Sequence, residues 1–112
     1  MLVAIETAGV NYIDVYMRDG SYRRSHTYVT PLPMVLGHEM GGVIAAGPRE
    51  GMRVVIEPAN PCGHCAACRA GDANLCPNVK FCGHAPIDGS LRTYMAWPQR
   101  LLLSVPDSIA DD

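Results

Sequence analysis

Pro61-Cys62-Gly63-His64-Cys65-Ala66-Ala67-Cys68-Arg69-Ala70-Gly71-Asp72-Ala73-Asn74-Leu75-Cys76-Pro77 is the stretch on which the reading of this chain turns. Its cysteines follow Cys-x2-Cys-x2-Cys-x7-Cys, with Gly63 and Gly71 beside them to let the backbone bend tightly around an ion. Four thiolates at this spacing make a closed tetrahedral set, and Zn²⁺ accepts four sulfurs at ~2.3 Å without redox chemistry. Such a set leaves no coordination position for water or substrate, so its metal is structural. The surrounding segment, Pro58 to Gly83, is rich in Cys, Gly, Asn and Ala and poor in side chains able to build a core, so a metal would have to hold its shape. An iron–sulfur cluster is the rival reading. Cys76 is followed by Pro77 and Cys82 lies within reach as a further ligand, whereas the x7 gap is longer than that pattern uses. By itself, Cys82 on the run Val79-Lys80-Phe81-Cys82 reads as a small buried hydrophobe, and His64 is surplus to a four-sulfur site.

The 112 residues correspond to one domain or part of one. Apolar residues make up 48% and charged residues 18%, a globular composition. The net charge of −2 offers no basic surface to phosphate backbones or anionic lipid, which argues against nucleic-acid and membrane partners. No apolar run approaches the ~20 residues of a spanning helix. The start, Met1 to Glu6, lacks the basic and small-residue features of a secretory signal, so a cytoplasmic setting is expected. Five cysteines in a reducing compartment favour metal ligation over a disulfide framework, and an odd number cannot all pair within one chain.

Eleven glycines and nine prolines interrupt every helical period, so the chain reads as mainly β. Gly42 to Ala46 and Met52 to Glu57 are β-rich runs joined by Gly47-Pro48-Arg49-Glu50-Gly51, which predicts a hairpin. Leu2 to Val10 alternates as a half-buried strand. Asn11 then caps a short helix running through Arg18 and ending at Gly20, with Tyr12, Val15 and Tyr16 on one face. Ser21 to Thr30, with Arg23 and Arg24, reads as a surface loop, and Tyr12, Tyr16 and Tyr22 could contact substrate or only pack. Leu91 to Trp97 and Leu101 to Val105 read as closing strands broken at Pro98. Met34, Met40, Met52 and Met95 with Trp97 are core filler or a docking face. His38 and Glu39, flanked by Gly37, Gly41 and Gly42, place an imidazole beside a carboxylate, although such a pair taken alone is usually ordinary.

The ordered set Gly9-Val10-x-x-x-Asp14, Pro33-x-Val35-Leu36-Gly37-His38-Glu39, Gly51-x-Arg53-Val54, the cysteine lobe with Asn74-Leu75-Cys76-Pro77, and Asp88-Gly89-Ser90-Leu91 resembles the GroES-like catalytic domain of the zinc-containing medium-chain dehydrogenases, nearest to their polyol (sorbitol-type) branch. The resemblance implies a partly open β-barrel with a short helix and a zinc-binding cysteine lobe. It also implies a parent enzyme that passes hydride from an alcohol or polyol to NAD(P). His38 matches the family's histidine ligand to a second, catalytic zinc, and Glu39 matches the neighbouring glutamate that in some members coordinates it. Asp14 matches the carboxylate that orients the histidine. The lobe cysteines Cys62, Cys65, Cys68 and Cys76 match the structural zinc ligands.

Several departures qualify what the resemblance implies. Where the family carries a cysteine zinc ligand and, two residues on, a serine or threonine relaying the substrate's proton, this chain has Asn11 and Ile13. Asparagine is a poor zinc ligand beside a thiolate and isoleucine relays no proton. Gly9-Val10-Asn11-Tyr12-Ile13-Asp14 resembles instead the quinone oxidoreductase branch, whose members need no catalytic zinc. No Gly-x-Gly-x-x-Gly follows any strand, so the expected unit is the catalytic-domain portion, 1–112, without the Rossmann cofactor domain and inactive as an isolated chain. The connection from Gly47 to Gly51 is also shorter than the family's, and Met52 replaces its usual aspartate. Family members usually begin with another strand pair before the region matching Leu2, and a barrel short of those edge strands would expose backbone groups that pair with another copy, so a homo-oligomer is expected. The alternatives are a piece of a quinone or enone reductase with structural zinc only, and a non-catalytic zinc-stapled interaction module.

Overall fold

In the computed structural model the described residues are 1–21 and 31–110; Tyr22 and the Arg23–Arg24 pair lie outside them. Strand β1 (Leu2–Gly9) is followed by helix α1 (Tyr12–Asp19), then by β2 (Glu39–Ala46) and β3 (Arg53–Ile56). The cysteine lobe contributes β4 (Ala59–Asn60), helix α2 (Ala66–Ala70), a 3-10 turn (Ala73–Leu75) and β5 (Lys80–Phe81). The chain closes with β6 (Tyr94–Ala96), a second 3-10 turn (Gln99–Leu101) and β7 (Leu102–Ser104). One antiparallel sheet runs in the order β6-β1-β2-β3-β7, and β4 with β5 makes a separate ribbon that closes the lobe. This is the mainly β, open antiparallel architecture expected.

The β2–β3 hairpin forms where its turn chemistry placed it. Gly47 (φ +108°) and Gly51 (φ +83°) take the left-handed conformations that residues with a Cβ rarely adopt. The Gly51 amide donates to the Ile44 carbonyl to close the turn. Along β1 and β2 the strands approach so closely at the Ile5↔Gly42 pair that a Cβ on Gly42 would lie 1.9 Å from the Ala4 carbonyl oxygen. The alternation expected for β1 is weak: Val3 is buried, but Glu6 to Gly9 are exposed. The reason is pairing, since β6 covers only Leu2 to Ala4 and the far half of β1 has β2 on one side alone.

Val3, Met40, Ile44, Val54, Ile56, Cys82, Met95, Trp97 and Leu102 form the core. Met40, Met95 and Trp97 are thus filler in that core, while Met52 is exposed. Trp97 also ties the sheet together: its backbone amide donates to the Met1 carbonyl, and its indole Nε1 donates to the Glu57 carbonyl at 2.9 Å, beyond the end of β3. Among the described residues no helix is long and apolar enough to cross a membrane.

Candidate functional site

Two polar constellations lie outside the core. In the lobe, the Sγ atoms of Cys62, Cys65, Cys68 and Cys76 fall within 4.8 Å of one another, with Cys65 and Cys76 at 3.9 Å. A tetrahedron of sulfurs ~2.3 Å from a zinc ion has edges of roughly 3.8 Å, so the four thiols fit this metal. Gly63 (φ +78°) and Gly71 (φ +96°) make the turns that bring them together. The Cys62 amide donates to Cys76 Sγ and the Cys68 amide to Cys65 Sγ, both at 3.4 Å, contacts that offset thiolate charge. A hydrogen bond from the His64 backbone holds the Cys62 thiol down to about 6. Removal from water, reinforced by the Cys65 thiol, pushes Cys68 up to about 12. A metal replacing the protons removes this conflict among crowded sulfurs. His64 is exposed, with Nδ1 2.8 Å from the Cys62 carbonyl oxygen, and is not part of the cluster. Cys82 also stands apart: it is fully buried, and its thiol donates to the Gly37 and Asp88 carbonyls at 3.6 Å.

The second constellation gathers Asn11, Asp14, His38 and Glu39. Asn11 caps α1 in extended conformation: its Oδ1 accepts from the Ile13 amide at 3.4 Å, and its backbone amide donates to Asp14 Oδ2 at 2.9 Å, a reciprocal capping box. Gly20 ends the helix in the left-handed region, as expected. The buried face of α1 is Asp14 and Met17, whereas Tyr12, Val15 and Tyr16 are exposed. Asp14 Oδ1 accepts from the Gly37 amide at 3.0 Å and lies 3.5 Å from His38 Nδ1, an electrostatic contact longer than a full hydrogen bond. At the entry to β2, Glu39 Oε1 accepts from Asn11 Nδ2 at 2.9 Å. Gly9 makes room for this carboxylate, since a Cβ there would lie 2.8 Å from Glu39 Oε2. Among the described residues, the lobe alone brings three or more His, Cys, Asp or Glu ligand atoms within metal-binding reach of one another.

The backbone that carries His38 is clasped from the far end of the chain. The amides of Gly89, Ser90 and Leu91 donate to the carbonyls of Val35, Gly37 and Leu36, and the Val35 amide donates to Asp88 Oδ1. Contact is so tight that a Cβ on Gly89 would sit 2.3 Å from the Gly37 oxygen and one on Gly83 would sit 2.6 Å from it. The segments Leu36-Gly37-His38-Glu39 and Asp88-Gly89-Ser90-Leu91, far apart in sequence, are therefore two halves of one support. Reading the sequence missed His84, whose ring stands edge-on to Phe81 at 4.9 Å and to His38 at 6.2 Å between centroids. Burial lowers its pKa. The signal available was a histidine directly after Gly83, which takes φ +76° in the turn that presents it.

Residues 1–107 match the alcohol dehydrogenase GroES-like domain. The chain is 36% identical over 117 residues to sorbitol dehydrogenase from Bacillus subtilis (strain 168), covering 98% of this chain and 32% of that protein. It is 34% identical over 114 residues to L-idonate 5-dehydrogenase from Vitis vinifera, covering 96% of this chain and 31% of the relative. It superposes on the crystal structure of an NAD-dependent alcohol dehydrogenase with a TM-score of 0.81 at 34% identity, over 97% of this chain and 32% of the other. The chain thus spans about a third of the length of the relatives it matches. With its open antiparallel sheet, clasped Gly-His-Glu step and four-cysteine lobe compatible with zinc, the chain belongs to the GroES-like domain family of the alcohol dehydrogenases.

Proposed function

We propose that residues 1–112 are the catalytic-domain portion, with Pro58–Gly83 as its structural zinc lobe, of an enzyme that transfers hydride between a small alcohol or polyol and NAD(P). The observation that carries this reading is the clasped backbone of Leu36 to Glu39, which sets His38 against Asp14 and beside Glu39 at the meeting point of β1, α1 and β2. In this proposal zinc in the lobe is held by Cys62, Cys65, Cys68 and Cys76 and supplies rigidity alone. His38 and Glu39 face the substrate oxygen, and Asp14 is a positioning residue acting through His38 and the Gly37 amide. The nicotinamide is held outside these residues, so the chain alone turns over nothing, because substrate and cofactor must meet in one cleft. We further propose a cytoplasmic protein that associates with a second copy through the outer strands β6 and β7.

A second reading, a quinone or enone reductase piece with structural zinc only, is favoured by one contact: the Asn11 amide donating to Glu39 where the family's thiolate would stand. Exchanging residues 1–107 for the matching segment of the Bacillus subtilis sorbitol dehydrogenase tests both. Polyol- or alcohol-dependent reduction of NAD(P), lost on His38→Ala, supports the first reading. A folded chimera that reduces enones or quinones and ignores alcohols supports the second. Turnover by the 112-residue chain alone would overturn the division of labour proposed here.

A further inference from the structure

Asparagine binds cations only through its carbonyl oxygen, because its NH₂ group has no lone pair to give. In this chain the capping role decides which way that amide faces. Oδ1 of Asn11 accepts from the Ile13 amide at the start of α1, and the opposite end, Nδ2, donates to Glu39 Oε1. Reversing the amide would set Nδ2 against a backbone N–H and Oδ1 against a carboxylate oxygen, losing both hydrogen bonds and creating two repulsions. The backbone amide of the same residue is committed to Asp14, which also receives the Gly37 amide, so the cap is braced on both sides. Glu39 in turn has one oxygen engaged by the amide, and among the described residues no further His, Cys, Asp or Glu ligand atoms join it and His38 in a group of three. The donor set at this position therefore does not fit the second zinc that the family resemblance implies.

We infer that Asn11 and Glu39 form a cap-locked hydrogen-bond bridge that closes this position to a second cation and offers substrate oxygens an amide N–H donor in place of a metal. The second proton on Nδ2 remains for a hydroxyl or carbonyl oxygen entering beside His38, a neutral ligand that needs a donor and no Lewis acid. The inference rests on the reading above for the location of the site. It does not depend on the lobe's metal.

The test uses the 112-residue chain, equilibrated with excess zinc and then desalted, with metal content measured beside that of His38→Ala. In parallel, the side-chain NH₂ resonances of Asn11 are followed by ¹H–¹⁵N NMR in the parent chain and in Glu39→Ala. Two results are expected: no zinc that His38→Ala removes, and a displacement of the Asn11 side-chain signals when the Glu39 carboxylate is deleted. Glu39 is exposed, so its truncation should leave the fold in place. A zinc equivalent that disappears with His38, or Asn11 signals indifferent to Glu39→Ala, would overturn the bridge. Loss of zinc from the lobe would count against the reading under Proposed function, while the Asn11 signals would still report on the bridge.

Discussion

Adding one methyl group at Gly42 should damage this fold more than any other glycine-to-alanine change in the β2–β3 hairpin. The Cβ of Gly42→Ala would lie 1.9 Å from the Ala4 carbonyl oxygen, 2.9 Å from the Ala4 carbonyl carbon and 3.1 Å from the Ile5 Cα, all backbone atoms of the paired strand. To reach an ordinary 3.4 Å contact, β1 would have to retreat by about 1.5 Å, which no rotamer change can provide. A displacement of that size stretches the ladder bonds flanking the Ile5↔Gly42 pair. Two impaired backbone bonds at ~1 kcal/mol each and ~1–3 kcal/mol of overpacking give a loss of roughly 3–5 kcal/mol, a large part of the stability of a domain this size. Gly51→Ala is the internal control. Its φ of +83° strains a Cβ, but nothing lies within 4 Å, so the cost is the left-handed conformation alone, ~1–2 kcal/mol. Trp97, the one tryptophan in the chain and 7% exposed, reports unfolding by fluorescence during urea titration. A Gly42→Ala chain as stable as Gly51→Ala would refute the strand-contact reasoning.

Thiol titration should divide the cysteines four against one. Chelation at neutral pH exposes Cys62, Cys65, Cys68 and Cys76 to an aromatic disulfide reagent, while Cys82 reacts only after denaturant, and a fifth reactive thiol in the folded chain would contradict its burial. Burial pushes Cys82 up to about 11, so the folded state favours the protonated thiol. Its contribution is complete below the ordinary thiol pKa and is lost as pH rises towards 11; Cys82→Ala should flatten that part of an alkaline stability profile. Trp97→Phe deletes the indole donor to the Glu57 carbonyl and leaves a gap in the core, for an expected loss of ~2–4 kcal/mol read by circular dichroism; a loss below ~0.5 kcal/mol would show that this tie carries little.

Features carried by short-range chemistry were legible in the chain itself. Asn11 caps α1 and Gly20 ends it because both interactions close within a few residues. Gly47 and Gly51 shape the hairpin because positive φ is a local demand. The cysteines meet because two-residue spacings and two glycine turns suffice to point sulfurs at one centre. Cys82 read from its flanking residues as a small buried hydrophobe, beside its rival reading as a further cluster ligand, and it is buried in the core.

What the chain order could not reveal was which distant groups meet. Nothing local places the Asn11 amide on Glu39, 28 residues away; that contact exists because α1 and the entry to β2 converge beside the end of β1. The buried face of α1 was similarly ambiguous: its tyrosines and valine offered an apolar stripe, yet Asp14 and Met17 are inside because Asp14 is needed under Gly37. Gly83 and Gly89 look like ordinary turn glycines until the clasp brings them against the Gly37 carbonyl, where a side chain has no room. Local rules act over one turn of chain and are written in residue type and spacing. The partners of a polar side chain are chosen by strand pairing and close packing, which arise only when separated segments are brought together.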